Sequence, residues 1–247
     1  MDNLKNKVAV ITGGNSGIGY ATAKQLKEQG ATVIITGRRK EAIETAAQEL
    51  GVTAIVADQS SVVDIENLAS KVKDDFCKVD ILFVNAGIAG LGMIEQATED
   101  LFDSIMNVNF KGAYFTLSRF IPILKDGASV VFLSSNTASM PGPGSSVYSS
   151  SKTALNSIMK SAALELAPRK IRVNSVSPGP TETEVMNKVG LDTATVKSIM
   201  DAVVLEKVPL KQMGSSADVA KMVSYLSGES AVFITGADFI MDGGMSV

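Results

Sequence analysis

The sequence predicts an α/β fold, a doubly wound parallel sheet of about seven strands with helices on both faces, in a single domain over residues 1–247. Three observations carry this. Short apolar runs, of the kind buried on both faces of a parallel sheet, alternate with helical patterns along most of the chain. The first run ends in a glycine turn that opens a helix. Hydrophobic residues make up 45% of the 247 and charged residues 20%, with no sharp shift in composition, which suits one large core.

Residues 7–11 are nearly continuous in apolar side chains and read as the first strand. The turn through Gly13, Gly14, Asn15, Ser16, Gly17, Ile18 and Gly19 follows, and a helical pattern over 20–29 closes at Gly30. Glycines let a dinucleotide's pyrophosphate reach the backbone at a helix N-terminus, which makes this turn a candidate cofactor contact. The plain alternative is an unliganded turn. Gly14 and Gly19 have the offset of a triphosphate loop, but Tyr20 and Ala21 stand where Lys and Ser/Thr are required, which argues against phosphotransfer.

The second strand, 32–36, runs into Gly37, Arg38, Arg39 and Lys40. At that strand end a dinucleotide fold meets the adenosine ribose, where an acid binds a free 2'-hydroxyl and an arginine binds a 2'-phosphate. No acid precedes Glu41, so Arg38 and Arg39 favour NADP(H) over NAD(H); the same charges can also be a solvated helix start. Helices over 41–50 and 62–74 alternate with strands over 53–57 and 80–84, which implies right-handed crossovers. Asp58 and Gln59 follow the third strand, and Asn85, Ala86 and Gly87 the fourth, at the strand ends where ligands bind in such sheets. Asp58 reads equally as a turn or capping residue.

Residues 99–124 read as one long helix, within which Asn109 either bends the helix, holds a water or has no role. A fifth strand over 128–133 ends in Ser134 and Ser135. Ser135 is either turn chemistry or a group at the sheet edge where substrate lies. A helix over 147–167 puts Tyr148 and Lys152 one turn apart on one face. An ammonium beside a phenol favours the phenolate, so the pair is a candidate proton donor and acceptor, against the alternative of a solvated face. The sixth strand, 170–176, stops at Ser177, Pro178, Gly179, Pro180 and Thr181. The following 182–213 carries scattered apolar residues in short helical pieces and is read as a lid over an apolar substrate, or else as packing or a subunit contact. A helix over 217–226 and a strand over 238–241 complete the chain.

The chain has no histidine, which excludes Ser-His-Asp and Cys-His catalysis and removes the commonest ligand of catalytic metals. The single Cys77 suits a reducing cytoplasm, and the net charge of −3 gives no footprint for nucleic acid or an anionic membrane. No secretion signal or membrane span is expected, and no metal.

Taken together the motifs closely resemble the classical short-chain dehydrogenases/reductases, a Rossmann-like family, over essentially the whole chain. Thr12-Gly13-x-x-x-Gly17-x-Gly19 looks like its cofactor turn, Asn85-Ala86-Gly87 like its fourth-strand motif and Tyr148-x-x-x-Lys152 like its catalytic pair. Ser135 lies thirteen residues before Tyr148, the family's common offset. The resemblance implies an NADP(H)-dependent oxidoreductase acting on a carbonyl or secondary alcohol. Tyr148 would be general acid/base, Lys152 would lower its pKa and bond the nicotinamide ribose, and Ser135 would hold the substrate oxygen. Asn109, through its backbone and a water, would connect Lys152 to solvent. Asp58 would contact adenine, and Pro178, Gly179, Thr181 and Thr183 would lie beside the nicotinamide. It also implies a homotetramer or homodimer assembled through the helices 99–124 and 147–167. The other class weighed is a non-catalytic NAD(P)-binding redox sensor on the same fold.

Overall fold

The computed structural model describes residues 3–182, 198, 201–204 and 206–247. In chain order it runs β1 (Val8–Thr12), α1 (Gly17–Glu28), β2 (Thr32–Gly37), α2 (Lys40–Leu50), β3 (Thr53–Val56), α3 (Val62–Phe76) and β4 (Val79–Val84). There follow α4 (Glu99–Met106), α5 (Ala113–Phe120), β5 (Leu124–Leu133), α6 (Ser146–Leu166), β6 (Arg172–Pro178), β7 (Thr181–Glu182), β8 (Gly214–Ser215), α7 (Ser216–Ser227) and β9 (Asp238–Met241). One parallel sheet of seven strands has the order β3-β2-β1-β4-β5-β6-β9, and β7 with β8 forms a separate short pair.

The strand sequences show why both faces are covered. Along β1 and β4 alternate side chains enter opposite cores. Val10 and Leu82 pack with Leu68, Val72, Phe120, Leu155 and Met159 from α3, α5 and α6. Ile11 and Phe83 pack with Ala23, Leu26, Ile43, Val219 and Val223 from α1, α2 and α7. A strand buried on both sides needs no polar alternation, which is the continuous apolar pattern seen in the sequence. Each fully buried aromatic, such as Phe83 or Phe132, stabilises the fold by about 1.5–3 kcal/mol. Several helix starts are fixed by side-chain caps: Ser61 on Asp64 N at 3.2 Å, Thr98 on Leu101 N at 3.2 Å, and a reciprocal Ser215–Asp218 box on α7.

The chain steps outward from β1 to β3 and then returns to place β4 on the other side of β1. Crossovers leave in opposite directions at that point, so the C-terminal ends of β1 and β4 open a crevice.

Three expectations need correction. The first helix begins at Gly17, not residue 20, so the last glycines of the turn belong to its first turn. The long helix over 99–124 is broken. Between α4 and α5 lies a π-helical turn, Asn107–Gly112, and after α5 comes a short 3-10 turn, Ile121–Ile123, with β5 starting at Leu124. Pro122 lacks an N–H and stops the helix, while a single extra residue in a π turn leaves the apolar spacing almost unchanged and so is invisible to periodicity. Lys170 adopts a left-handed φ of 56°, and β6 starts two residues later and runs on to Pro178. Of the segment 182–213 read as a lid, residues 183–197, 199, 200 and 205 lie outside the described residues, Thr183 among them. Among the described residues, no helix is long and apolar enough to cross a membrane.

Candidate active site

A cleft of about 480 Å³ opens over the C-terminal ends of the central strands. Every residue proposed from the sequence for the site lines it, apart from buried Asn109 and the undescribed Thr183.

The floor of the cleft is the glycine turn. Gly13 has φ +66°, open chiefly to glycine, and a Cβ on Gly19 would overlap the Gly13 carbonyl and stand 2.6 Å from Asn85 Nδ2. Asn85 ties this turn to β4: its Nδ2 donates to the carbonyls of Thr12 at 2.8 Å and Gly13 at 3.0 Å. In return the Thr12 hydroxyl accepts from the Asn85 and Ala86 amides, both at 3.0 Å. Ser16, at the N-cap of α1, makes no side-chain cap bond, so the N–H groups of the first turn have no side chain covering them. Bare backbone and a helix N-terminus fit a pyrophosphate.

At one end of the cleft stand Arg38 and Arg39, exposed and in no ion pair among the described residues. Across from them, burial works to raise the Asp58 carboxyl, but the Ser60 amide and hydroxyl, each at 2.8 Å, and the charge of Arg38 outweigh it, so it is held below the usual range. The side-chain amide of the neighbouring Gln59 donates to Thr116 Oγ1 at 2.9 Å.

At the other end Ser135, Tyr148 and Lys152 meet. Ser135 caps a 3-10 turn, and its Oγ accepts from Thr137 N at 3.3 Å and Thr137 Oγ1 at 3.0 Å. That leaves the Ser135 proton free to donate toward Tyr148, half-buried on α6, whose phenol the serine works to lower. Lys152, one turn on, is 3% exposed; its Nζ donates to the Leu133 carbonyl at 2.8 Å and stands 5.8 Å from the Tyr148 ring centre. Burial pushes the Lys152 ammonium down to about 8. The Tyr148 phenol does not follow the expected lowering by its neighbour. Burial raises it above the ordinary value, with the Ser135 hydrogen bond pulling the other way.

Asn109 sits in the π-helical turn, fully buried. Its Oδ1 accepts from Ile88 N at 2.8 Å, and its Nδ2 donates to Ile88 O at 2.9 Å and Ser151 Oγ at 3.2 Å. Its side-chain amide is thus bonded to protein, and the bend read from sequence is present at Asn109. A Cβ on Gly87 would lie 3.3 Å from Asn109 Oδ1 and 3.5 Å from Lys152 Nζ, so glycine there lets both groups approach the cleft. Sequence reasoning passed over Ile88 and Ser151, which brace Asn109, and the Leu133 carbonyl, which anchors Lys152. Backbone partners and a lone serine carry no distinguishing sequence signal.

The family model described as enoyl-(acyl carrier protein) reductase matches residues 13–246. The chain is 34% identical over 251 residues to human dehydrogenase/reductase SDR family member 4, covering 98% of this chain and 88% of that protein. It is 34% identical over 252 residues to the NADP-dependent (R)-specific alcohol dehydrogenase of Lentilactobacillus kefiri, covering 98% of each. A short-chain dehydrogenase of Burkholderia cenocepacia solved in complex with NADP superposes with a TM-score of 0.88 at 32% identity over the full length of both chains. With the sheet order, the glycine-turn cleft and the Ser135–Tyr148–Lys152 cluster, these matches place the chain in the classical short-chain dehydrogenase/reductase family, nicotinamide-dependent oxidoreductases acting on CH–OH and C=O groups.

Proposed function

We propose that the chain is an NADP(H)-dependent carbonyl reductase or alcohol dehydrogenase in which Tyr148 is the general acid and base. The observation that carries this is the meeting of Ser135, Tyr148 and Lys152 at one end of a cleft whose other end holds two arginines outside any ion pair among the described residues. The glycine turn and the first turn of α1 would hold the pyrophosphate, Arg38 and Arg39 a 2'-phosphate, Asp58 the adenine side, and Pro178, Gly179 and Thr181 the nicotinamide side. The cofactor supplies or accepts the hydride at nicotinamide C4.

The chain's own residues handle the proton and the charge. Tyr148, protonated because burial raises it, gives its proton to a carbonyl oxygen in reduction, or takes one from an alcohol in oxidation. Ser135 steadies the developing charge on the substrate oxygen. Lys152, tuned to about 8, exchanges protons near neutral pH and bonds the nicotinamide ribose, with Asn109 shaping the path to solvent. The NADP-dependent Lentilactobacillus relative and the NADP-bound Burkholderia structure support the cofactor preference.

The test is a panel of acetophenone, a β-ketoester, a quinone and 1-phenylethanol followed by NADPH absorbance. Tyr148→Phe is expected to lower turnover by about 10²-fold or more while NADPH binding, followed by fluorescence, stays within about twofold. Undiminished turnover removes Tyr148 from the mechanism. We further propose that residues 182–213 close over an apolar part of the substrate, that the protein is cytoplasmic, and that it assembles as a homodimer or homotetramer through α4, α5 and α6. Exposed Phe102 and Tyr114 on α4 and α5 support the assembly, and a monomer mass by light scattering at micromolar concentration would contradict it.

A further inference from the structure

We propose that Gln59 and Thr116 are positioning residues for proton exchange at the active site, because together they clamp the far end of the π-helical turn that carries Asn109. The inference rests on the reading of Asn109 as the group that shapes the proton path from Lys152.

A π turn carries one residue more than an α turn in poorer hydrogen-bond geometry and persists where neighbours hold it. The Asn109 side chain grips one part of this turn through Ile88 and Ser151. The other end is Gly112. Thr116, fully buried on α5, donates its hydroxyl to the Gly112 carbonyl at 2.8 Å and accepts the Gln59 Nε2 at 2.9 Å. One hydroxyl has one proton, so these two bonds fix each other's direction. The backbone makes the same junction: a Cβ on Gly112 would overlap the Gln59 carbonyl. The loop after β3, which brings Asp58 to the adenosine end of the cleft, is therefore fastened directly onto the turn that serves the catalytic end. Gln59, placed by sequence among the cofactor contacts, spends one amide N–H on this clamp.

The experiment compares Thr116→Val, Thr116→Ser, Gln59→Met and Asn109→Ala with the unaltered protein. Each is assayed with the panel compound turned over fastest. Thr116→Val removes both bonds without changing shape, and is expected to lower kcat by about tenfold and to move the pH profile of kcat in the same direction as Asn109→Ala, while the NADPH dissociation constant stays within about twofold. Thr116→Ser keeps the hydroxyl and restores both kcat and the profile. Gln59→Met, which breaks only the outer bond on a half-buried residue, gives a smaller change of the same kind and serves if Thr116→Val does not fold. A kcat and pH profile unchanged in Thr116→Val and Gln59→Met, beside an altered Asn109→Ala, overturns this inference alone. An unaltered Asn109→Ala overturns the Asn109 reading and this inference with it. Equal loss of kcat and NADPH affinity, unrestored by serine, shows a merely structural role and also overturns it.

Discussion

Replacing Lys152 with methionine tests whether its buried ammonium is held in the protein at a cost to folding. Burial brings this lysine to about 8 from 10.5. Below pH 8 both the folded and the unfolded chain carry the proton, and the folded state bears the full penalty of burying a charge. Between pH 8 and 10.5 the unfolded chain binds a proton that the folded chain has released. Stability therefore rises with pH, by about 1.4 kcal/mol per unit, and levels off above 10.5. Over pH 8 to 9.5 the unaltered protein should gain about 2 kcal/mol that Lys152→Met does not. Tyr148 does not blur this window. Its raised phenol contributes stability that is present below pH 10 and lost only as pH climbs beyond it. The assay is urea unfolding by far-UV circular dichroism of both proteins without cofactor, at pH 7, 8 and 9.5 and one protein concentration, taking the difference so that other titrating groups cancel. A difference that stays constant over the three pH values refutes the buried, depressed ammonium.

Arg38→Ala is expected to weaken NADPH binding by about tenfold or more and leave NADH within about twofold, since a charge-assisted contact to phosphate contributes about 1.5–3 kcal/mol. Fluorescence titration with both nucleotides checks it, and tighter NADH than NADPH binding by the unaltered protein refutes the reading of Arg38. Gly19→Ala forces a methyl against the Gly13 carbonyl and Asn85 Nδ2, so urea unfolding should show a loss of about 1–3 kcal/mol together with weaker binding of either nucleotide; an unchanged midpoint would mean the turn relaxes freely.

The sheet was legible because strands buried on both faces leave a continuous apolar signature, as in residues 8–11 and 81–84, and because glycines at 13, 17 and 19 meet a backbone demand that the structure displays. The Tyr148–Lys152 spacing was legible for the same kind of reason, since a helix places residues four apart on one face. Its electrostatics were not. Local spacing suggested a phenol lowered by its cationic neighbour, whereas the depth of the cleft, a property of the whole fold, raises the phenol and depresses the ammonium. The π-helical turn was hidden because Ile105, Ala113 and Leu117 keep a nearly helical spacing through it, and Asn109 alone hinted at a disturbance. The Gln59–Thr116 bond joins residues 57 apart, and no local pattern announces such a pair.

The four hydrogen bonds between the Thr12–Gly13 segment and the Asn85–Ala86 segment have a consequence for the nucleotide site proposed above. They are made entirely within the protein, so the floor of the cleft is assembled before anything arrives. Capture there requires little ordering of the chain, and binding free energy that a floppy loop would spend on its own immobilisation is left to hold the nucleotide. The two central strands act as a rigid pedestal for the cleft.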